Sequence, residues 1–136
     1  MDLLIDSNFF LDLILDRDTT GNIKRLFPRI EKNRDRAFFT SSSATDMFYI
    51  IRKTLRDLDA TYKSMWDILK LARILQVNEE DILLALHAKW KDFEDCVQFM
   101  VAMRNRMDCI VTRNKRDFED NSVPIISPEE YFLRGR

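Results

Sequence analysis

Apolar runs of strand length alternate along this chain with stretches of helical period, and each run ends on a carboxylate, a hydroxyl or an amide. Leu3 to Ile5 lead into Asp6-Ser7-Asn8, Arg36 to Thr40 into Ser41-Ser42-Ser43, and Asp108 to Thr112 into Arg113-Asn114. Ile74 to Val77 and Val123 to Ile126 read as two further short strands. Strands separated by helices pair in parallel, so this order predicts an α/β fold with a central, mostly parallel sheet of four to five strands flanked by helices. In such sheets the ligand crevice lies beyond the carboxyl ends of the strands.

The helical segments carry their own punctuation. Phe9 to Leu15 has helical spacing, and any of Ser41, Ser42 or Ser43 can cap a helix bearing Met47, Tyr49, Ile50 and Leu55. Trp66, Leu69, Ala72 and Arg73 continue a helical period through residues 60 to 73. Asn78 caps an acidic first turn, Glu79-Glu80-Asp81, ahead of an apolar helix from Ile82 to Ala88. Asp92 caps the next helix, with Cys96, Phe99, Met100 and Met103 at helical spacing, and Ser127-Pro128-Glu129-Glu130 is a capping box for a terminal one. With only two glycines, three prolines and no linker or repeat, the 136 residues are expected to form a single domain over 1–136 with short connections.

Charge excludes some classes and localises others. Lys+Arg 22 against Asp+Glu 23 nearly cancel, so any basic surface for nucleic acid must be local, and Arg104, Arg106, Arg113, Lys115 and Arg116 form the one such lip. Cys96 and Cys109 fall on apolar periods without a ligand spacing, which argues against a zinc site or a disulfide framework. The chain opens directly into Asp2-Leu3-Leu4 without the pattern of a signal peptide, and no apolar run approaches membrane-spanning length. A cytoplasmic protein with no membrane partner is the expectation. His87 lies in an apolar helix and reads as structural, so histidine-based nucleophilic chemistry has little support. Trp66, Trp90 and the methionines follow packing periods and read as core.

Four acids then carry the chemical argument: Asp6, Asp46, Asp95 and Asp117. Carboxylates gathered at one point repel unless a cation or a set of donors offsets them, and oxygen-only ligands suit a hard divalent ion, Mg²⁺ or Mn²⁺. Asp6 can be a central ligand or a cap for the following helix, and Ser7 and Asn8 beside it can bond a phosphate, orient Asp6, or serve the turn alone. Helical spacing puts Asp95 on the face of Phe99 and Ala102, while Asp92 and Glu94 diverge from it. Thr112 and Asn114 can hold a water or a phosphate oxygen, and Asp117 can act as a ligand directly or through water. Asp46 falls one turn inside a helix, where a solvated face accounts for it equally well.

These pieces, in order, resemble a PIN domain of the kind found in VapC-type ribonuclease toxins. They are Leu4-Ile5-Asp6-Ser7-Asn8 with Leu11 to Leu15, Ser43 to Ile50, Asp92-Phe93-Glu94-Asp95 continuing to Ala102, and Ile110 to Asn114 with Asp117-Phe118. The resemblance spans essentially the whole chain. It implies a metal-dependent endoribonuclease acting on RNA, with Asp6, Asp95 and Asp117 at acidic metal positions, Thr112 and Asn114 positioning water or substrate, and Asp46 in support. The family usually carries Glu where this chain has Asp46, so the shorter side chain can require a bridging water there. The resemblance also implies a homodimer and an antitoxin protein that inserts into the active-site groove. A rival reading is a PIN-like scaffold that binds RNA or protein without catalysis.

Overall fold

The computed structural model describes residues 1–134. Its centre is a five-stranded sheet in the order β3-β2-β1-β4-β5, with β1 at Asp2–Ile5, β2 at Arg36–Thr40, β3 at Arg73–Leu75, β4 at Cys109–Val111 and β5 at Ile125–Ile126. All four pairings are parallel. Seven α-helices among the described residues flank the sheet: α1 Ser7–Ile14, α2 Asn22–Lys32, α3 Ser41–Leu55, α4 Leu58–Leu71, α5 Glu79–Ala88, α6 Phe93–Arg104 and α7 Pro128–Arg134. None of them is long and apolar enough to cross a membrane.

Strand β1 explains the layering. Its side chains alternate across the sheet, so Leu3 and Ile5 enter one core with Phe9, Phe10 and Met47, while Leu4 enters the other with Phe99 and Ile110. Both faces are covered, which is why the strands read as unbroken apolar runs. The chain leaves β1 toward β2 and β3, then returns on the other side of β1 as β4. That reversal opens a crevice at the carboxyl ends of β1 and β4.

Several expectations shift in register or face. The helix expected over 60 to 73 is α4, which stops at Leu71 because Ala72 is fully extended, at φ −151° and ψ 159°. The strand expected at Ile74 to Val77 starts a residue earlier and ends at Leu75, where its partner β2 runs out at Thr40; Val77 instead donates its N–H to the Ser41 hydroxyl. The cap of α3 is Thr40 rather than one of the serines, its hydroxyl accepting from the Ser43 N–H. Trp66 is 67% exposed, not core, because α4 buries Thr61, Ser64 and Ile68 while Trp66 faces outward, and Met103 on α6 is 46% exposed beside the buried Val101 and Ala102. Trp90 does pack inward, on Phe99 and Phe118.

Helix α2 has no counterpart among the expected elements. Its buried residues Ile23, Leu26, Phe27 and Ile30 keep helical spacing, yet Gly21 precedes it in a left-handed conformation and Pro28 interrupts it. Asp18 makes the entry possible, since its carboxylate accepts the backbone N–H groups of Gly21, Ile23 and Lys24. The capping box expected at Ser127 forms with Glu130, and the cap expected at Asn78 goes further and forms a second box with Asp81.

Candidate active site

At the carboxyl end of β1 the ladder continues one residue beyond the strand, because the Asp6 N–H donates to the Val111 carbonyl at 3.0 Å. Asp6 is then both the cap of α1 and a wall of the crevice. One carboxylate oxygen accepts the Asn8 N–H at 3.0 Å and the other accepts the Thr112 hydroxyl at 2.9 Å. The two uses offered for Asp6, cap and cleft residue, are compatible.

The crevice is a cleft of about 370 Å³. Asp6, Asp46, Asp95 and Asp117 all line it, together with Ser7, Asn8 and Asn114. Four elements therefore converge: the β1–α1 junction, α3, the start of α6, and the short 3-10 turn Lys115–Asp117. Thr112 does not line the cleft; it is 1% exposed, donates to Asp6, and accepts the Asn114 N–H at 3.1 Å. Its hydroxyl fixes two neighbours that do face the cleft.

Within the cleft, ligand oxygens of Asp92, Asp95 and Asp117 lie within 4.8 Å of one another. Asp92 thus corrects the expectation that it diverges from Asp95. As the N-cap, with φ −99° and ψ 100°, it stands outside the helical period and turns back to accept the Asp95 N–H at 2.9 Å. Glu94 also lines the cleft rather than diverging from it. Spacing misplaced Asp92 because a cap lies outside the helical period, and it misplaced Glu94 because the cleft is wide enough to be lined by two consecutive residues of the first turn. Gln98 was not singled out from sequence either; it is 4% exposed, one turn after Asp95, and lines the same wall. Its offset of three from Asp95 was the available signal.

Electrostatics record the crowding. Burial, reinforced by Asp92, Asp6, Asp117 and Glu94, pushes the Asp95 carboxyl up to about 7. Burial also raises Glu94, with help from Asp46, Asp92 and Asp6. Three close carboxylates with no cationic side chain among the residues lining the cleft make a donor set of hard oxygens. That chemistry fits Mg²⁺ or Mn²⁺ and does not fit a soft thiophilic ion.

The basic lip expected around the last two acidic stretches is only partly there. Arg104 is committed to Asp81, at 2.9 Å, and to the Gln76 carbonyl. Lys115 pairs with Glu130 at 2.7 Å. Arg113 pairs with Asp12 at 2.6 Å and stays beside the cleft.

Comparison with known proteins agrees with this architecture. The PIN-domain family model matches residues 2–116. Among solved structures, the VapC20 toxin of Mycobacterium tuberculosis, described as cleaving the sarcin–ricin loop, is similar with a TM-score of 0.63 and 14% identity, over 79% of this chain and 86% of the toxin. VapBC2 from Rickettsia felis, solved with a promoter DNA fragment, gives 0.67 at 13% identity over 93% and 97% of the two chains. A toxin–antitoxin complex from Klebsiella pneumoniae gives 0.64 at 19% identity over the same shares, 93% and 97%. A comparison with curated protein sequences returns no match. With 115 consecutive residues inside the family match and the acidic cleft at the carboxyl ends of its parallel strands, this chain belongs to the PIN-domain family.

Proposed function

We propose that this protein is a Mg²⁺- or Mn²⁺-dependent endoribonuclease that hydrolyses RNA phosphodiester bonds, and that it is the toxin of a toxin–antitoxin pair. The observation that carries the reading is the approach of Asp92, Asp95 and Asp117 oxygens within 4.8 Å in a cleft that Asp6 and Asp46 also line. Asp6, Asp95 and Asp117 would hold the cation, as the sequence leads one to expect, with Asp92 joining them and Asp46 in support. When bound, such an ion supplies Lewis acidity and charge compensation for phosphodiester hydrolysis.

The chain's own groups do the rest. Asn8 and Asn114 offer amide donors at the mouth of the cleft, where a phosphate oxygen can be oriented, and Ser7 offers a hydroxyl. Thr112 holds the Asp6 carboxylate in one rotamer through its hydrogen bond. The antitoxin partner rests on likeness to toxin–antitoxin structures from Rickettsia felis and Klebsiella pneumoniae, and the homodimer on the family resemblance read from the sequence.

A scaffold that binds RNA or protein without catalysis is the alternative, and Asp46 favours it: the side chain is exposed and stands outside the tight group of three. Two measurements separate the readings. Calorimetric titration with Mn²⁺ should show binding that Asp95→Asn removes, and cleavage of labelled RNA should be lost in Asp6→Asn while its circular dichroism is unchanged. Undiminished cleavage by Asp6→Asn, or no Mn²⁺ binding by the parent protein, would overturn the nuclease reading.

A further inference from the structure

Beside the acidic cleft lies a second cavity of about 320 Å³, and the two share Asp6, Asn8 and Asn114 as a common wall. The far side of this second cavity carries two guanidinium groups, Arg17 and Arg113. Both are anchored to one carboxylate. Asp12 receives Arg113 on one oxygen at 2.6 Å and Arg17 on the other at 3.2 Å, and its side chain is only 13% exposed. Arg113 also lies over the ring of the buried Phe9, 4.8 Å from its centroid. The cavity lining holds two guanidiniums against two carboxylates, Asp12 and Asp6, so its positive charge is confined to the arginine side chains, and their anchoring removes much of the side-chain entropy that an exposed arginine loses on binding.

A guanidinium has five N–H donors, and Asp12 uses a minority of those on Arg113 and Arg17. The remaining donors stand at the edge of a cavity that opens into the site of proposed chemistry. A nucleic-acid strand with one phosphate against the acidic group must place a neighbouring phosphate to one side. On this side it meets the arginines.

We propose that Arg17 and Arg113, held by Asp12 and Phe9, form a phosphate subsite for the nucleotide adjoining the scissile bond. This deepens the nuclease reading and rests on it for the identity of the strand. The subsite fixes where along the backbone cleavage falls, and it supplies affinity that the acidic cleft, being like-charged with phosphate, does not supply by itself.

The test uses the full chain and a fluorescently labelled ten-nucleotide oligouridylate in EDTA, with affinity read by anisotropy over a range of salt concentrations. Arg113→Ala and Arg17→Ala should each weaken binding and reduce the slope of log affinity against log salt by about 0.7, the value for one lost contact to a single strand. Arg113→Lys should restore the slope, since it keeps the charge, which a merely structural role for the arginine would not produce. In Mn²⁺, Arg113→Ala should raise KM with kcat little changed. Absence of binding by the parent protein in EDTA, or the parent affinity and slope in both alanine variants, would overturn the subsite. Failure of the nuclease reading shows separately: Asp95→Asn would then cleave like the parent, whatever the arginine variants do to the slope.

Discussion

Thr112, the residue that follows β4, gives its hydroxyl hydrogen to the Asp6 carboxylate at 2.9 Å, from a position only 1% exposed. The bond crosses the seam between β1 and β4, so the orientation of an acid in the cleft depends on a side chain that does not touch the cleft. Thr112→Val keeps the shape and removes the donor. It should lower cleavage or Mn²⁺ affinity by about tenfold or more, the usual effect of losing a partner that orients a ligand. Thr112→Ser should restore most of it. Parent-like activity in Thr112→Val would show that Asp6 needs no such support.

The Asp95 carboxyl titrates at about 7 in the folded protein, against 3.8 for an unperturbed Asp. Between those values the folded state binds more protons than the unfolded one, so the stability this group contributes is fully present below pH 3.8 and is lost as pH rises to about 7. In EDTA, Asp95→Asn should therefore melt higher than the parent at pH 8, with the gap closing as pH falls toward 4. Mn²⁺ should raise the melting temperature of the parent at pH 8 and leave the variant nearly unmoved. Thermal melts at the two pH values, with and without Mn²⁺, check this.

Asp81 is fully buried, accepts the Asn78 N–H at the start of α5, and receives Arg104 from α6. The pair ties two neighbouring helices far along α6 from the acidic cluster. Asp81→Ala removes the acceptor of the Asn78 N–H and the buried end of the ion pair, while Arg104 keeps the Gln76 carbonyl, so it should cost about 2 kcal/mol in urea unfolding. Activity per folded molecule should be unchanged. A loss below about 0.5 kcal/mol would mean that water replaces the pair at no cost.

Arg56 and Lys89 end α3 and α5 in the left-handed conformation, with φ of 55° and 56°. That region strains any residue with a Cβ and suits glycine, which this chain uses only twice. Lys89→Gly and Arg56→Gly should each stabilise the protein by about 0.5–1 kcal/mol, measured by urea unfolding. Destabilisation by both would show that their side chains make contacts worth more than the backbone strain.

The convergence of Asp6, Asp95 and Asp117 was legible because each follows an apolar strand or opens an apolar helix face, and those features locate a residue at the end of a parallel sheet. Asp92 was misread for a local reason: a capping residue has left the helical period on which the projection depends. Trp66 was misread for a tertiary one. Helix α4 has apolar residues on more than one face, and its period cannot show that the side bearing Thr61, Ser64 and Ile68 is the buried one. Helix α2 was hidden behind Gly21 and Pro28, two residues that normally punctuate helices, although the apolar spacing of Ile23, Leu26, Phe27 and Ile30 was present throughout. The role of Arg104 could not be read at all, since its partner Asp81 is 23 residues away in sequence.

Asp6 extends a strand paired on both sides in the middle of the sheet, whereas Asp117 belongs to a three-residue turn preceded by exposed residues. The cleft accordingly has an anvil and a hinge. Local opening of the cleft is therefore expected first on the Asp117 side, where amide hydrogen exchange should run faster than at the β1 ladder.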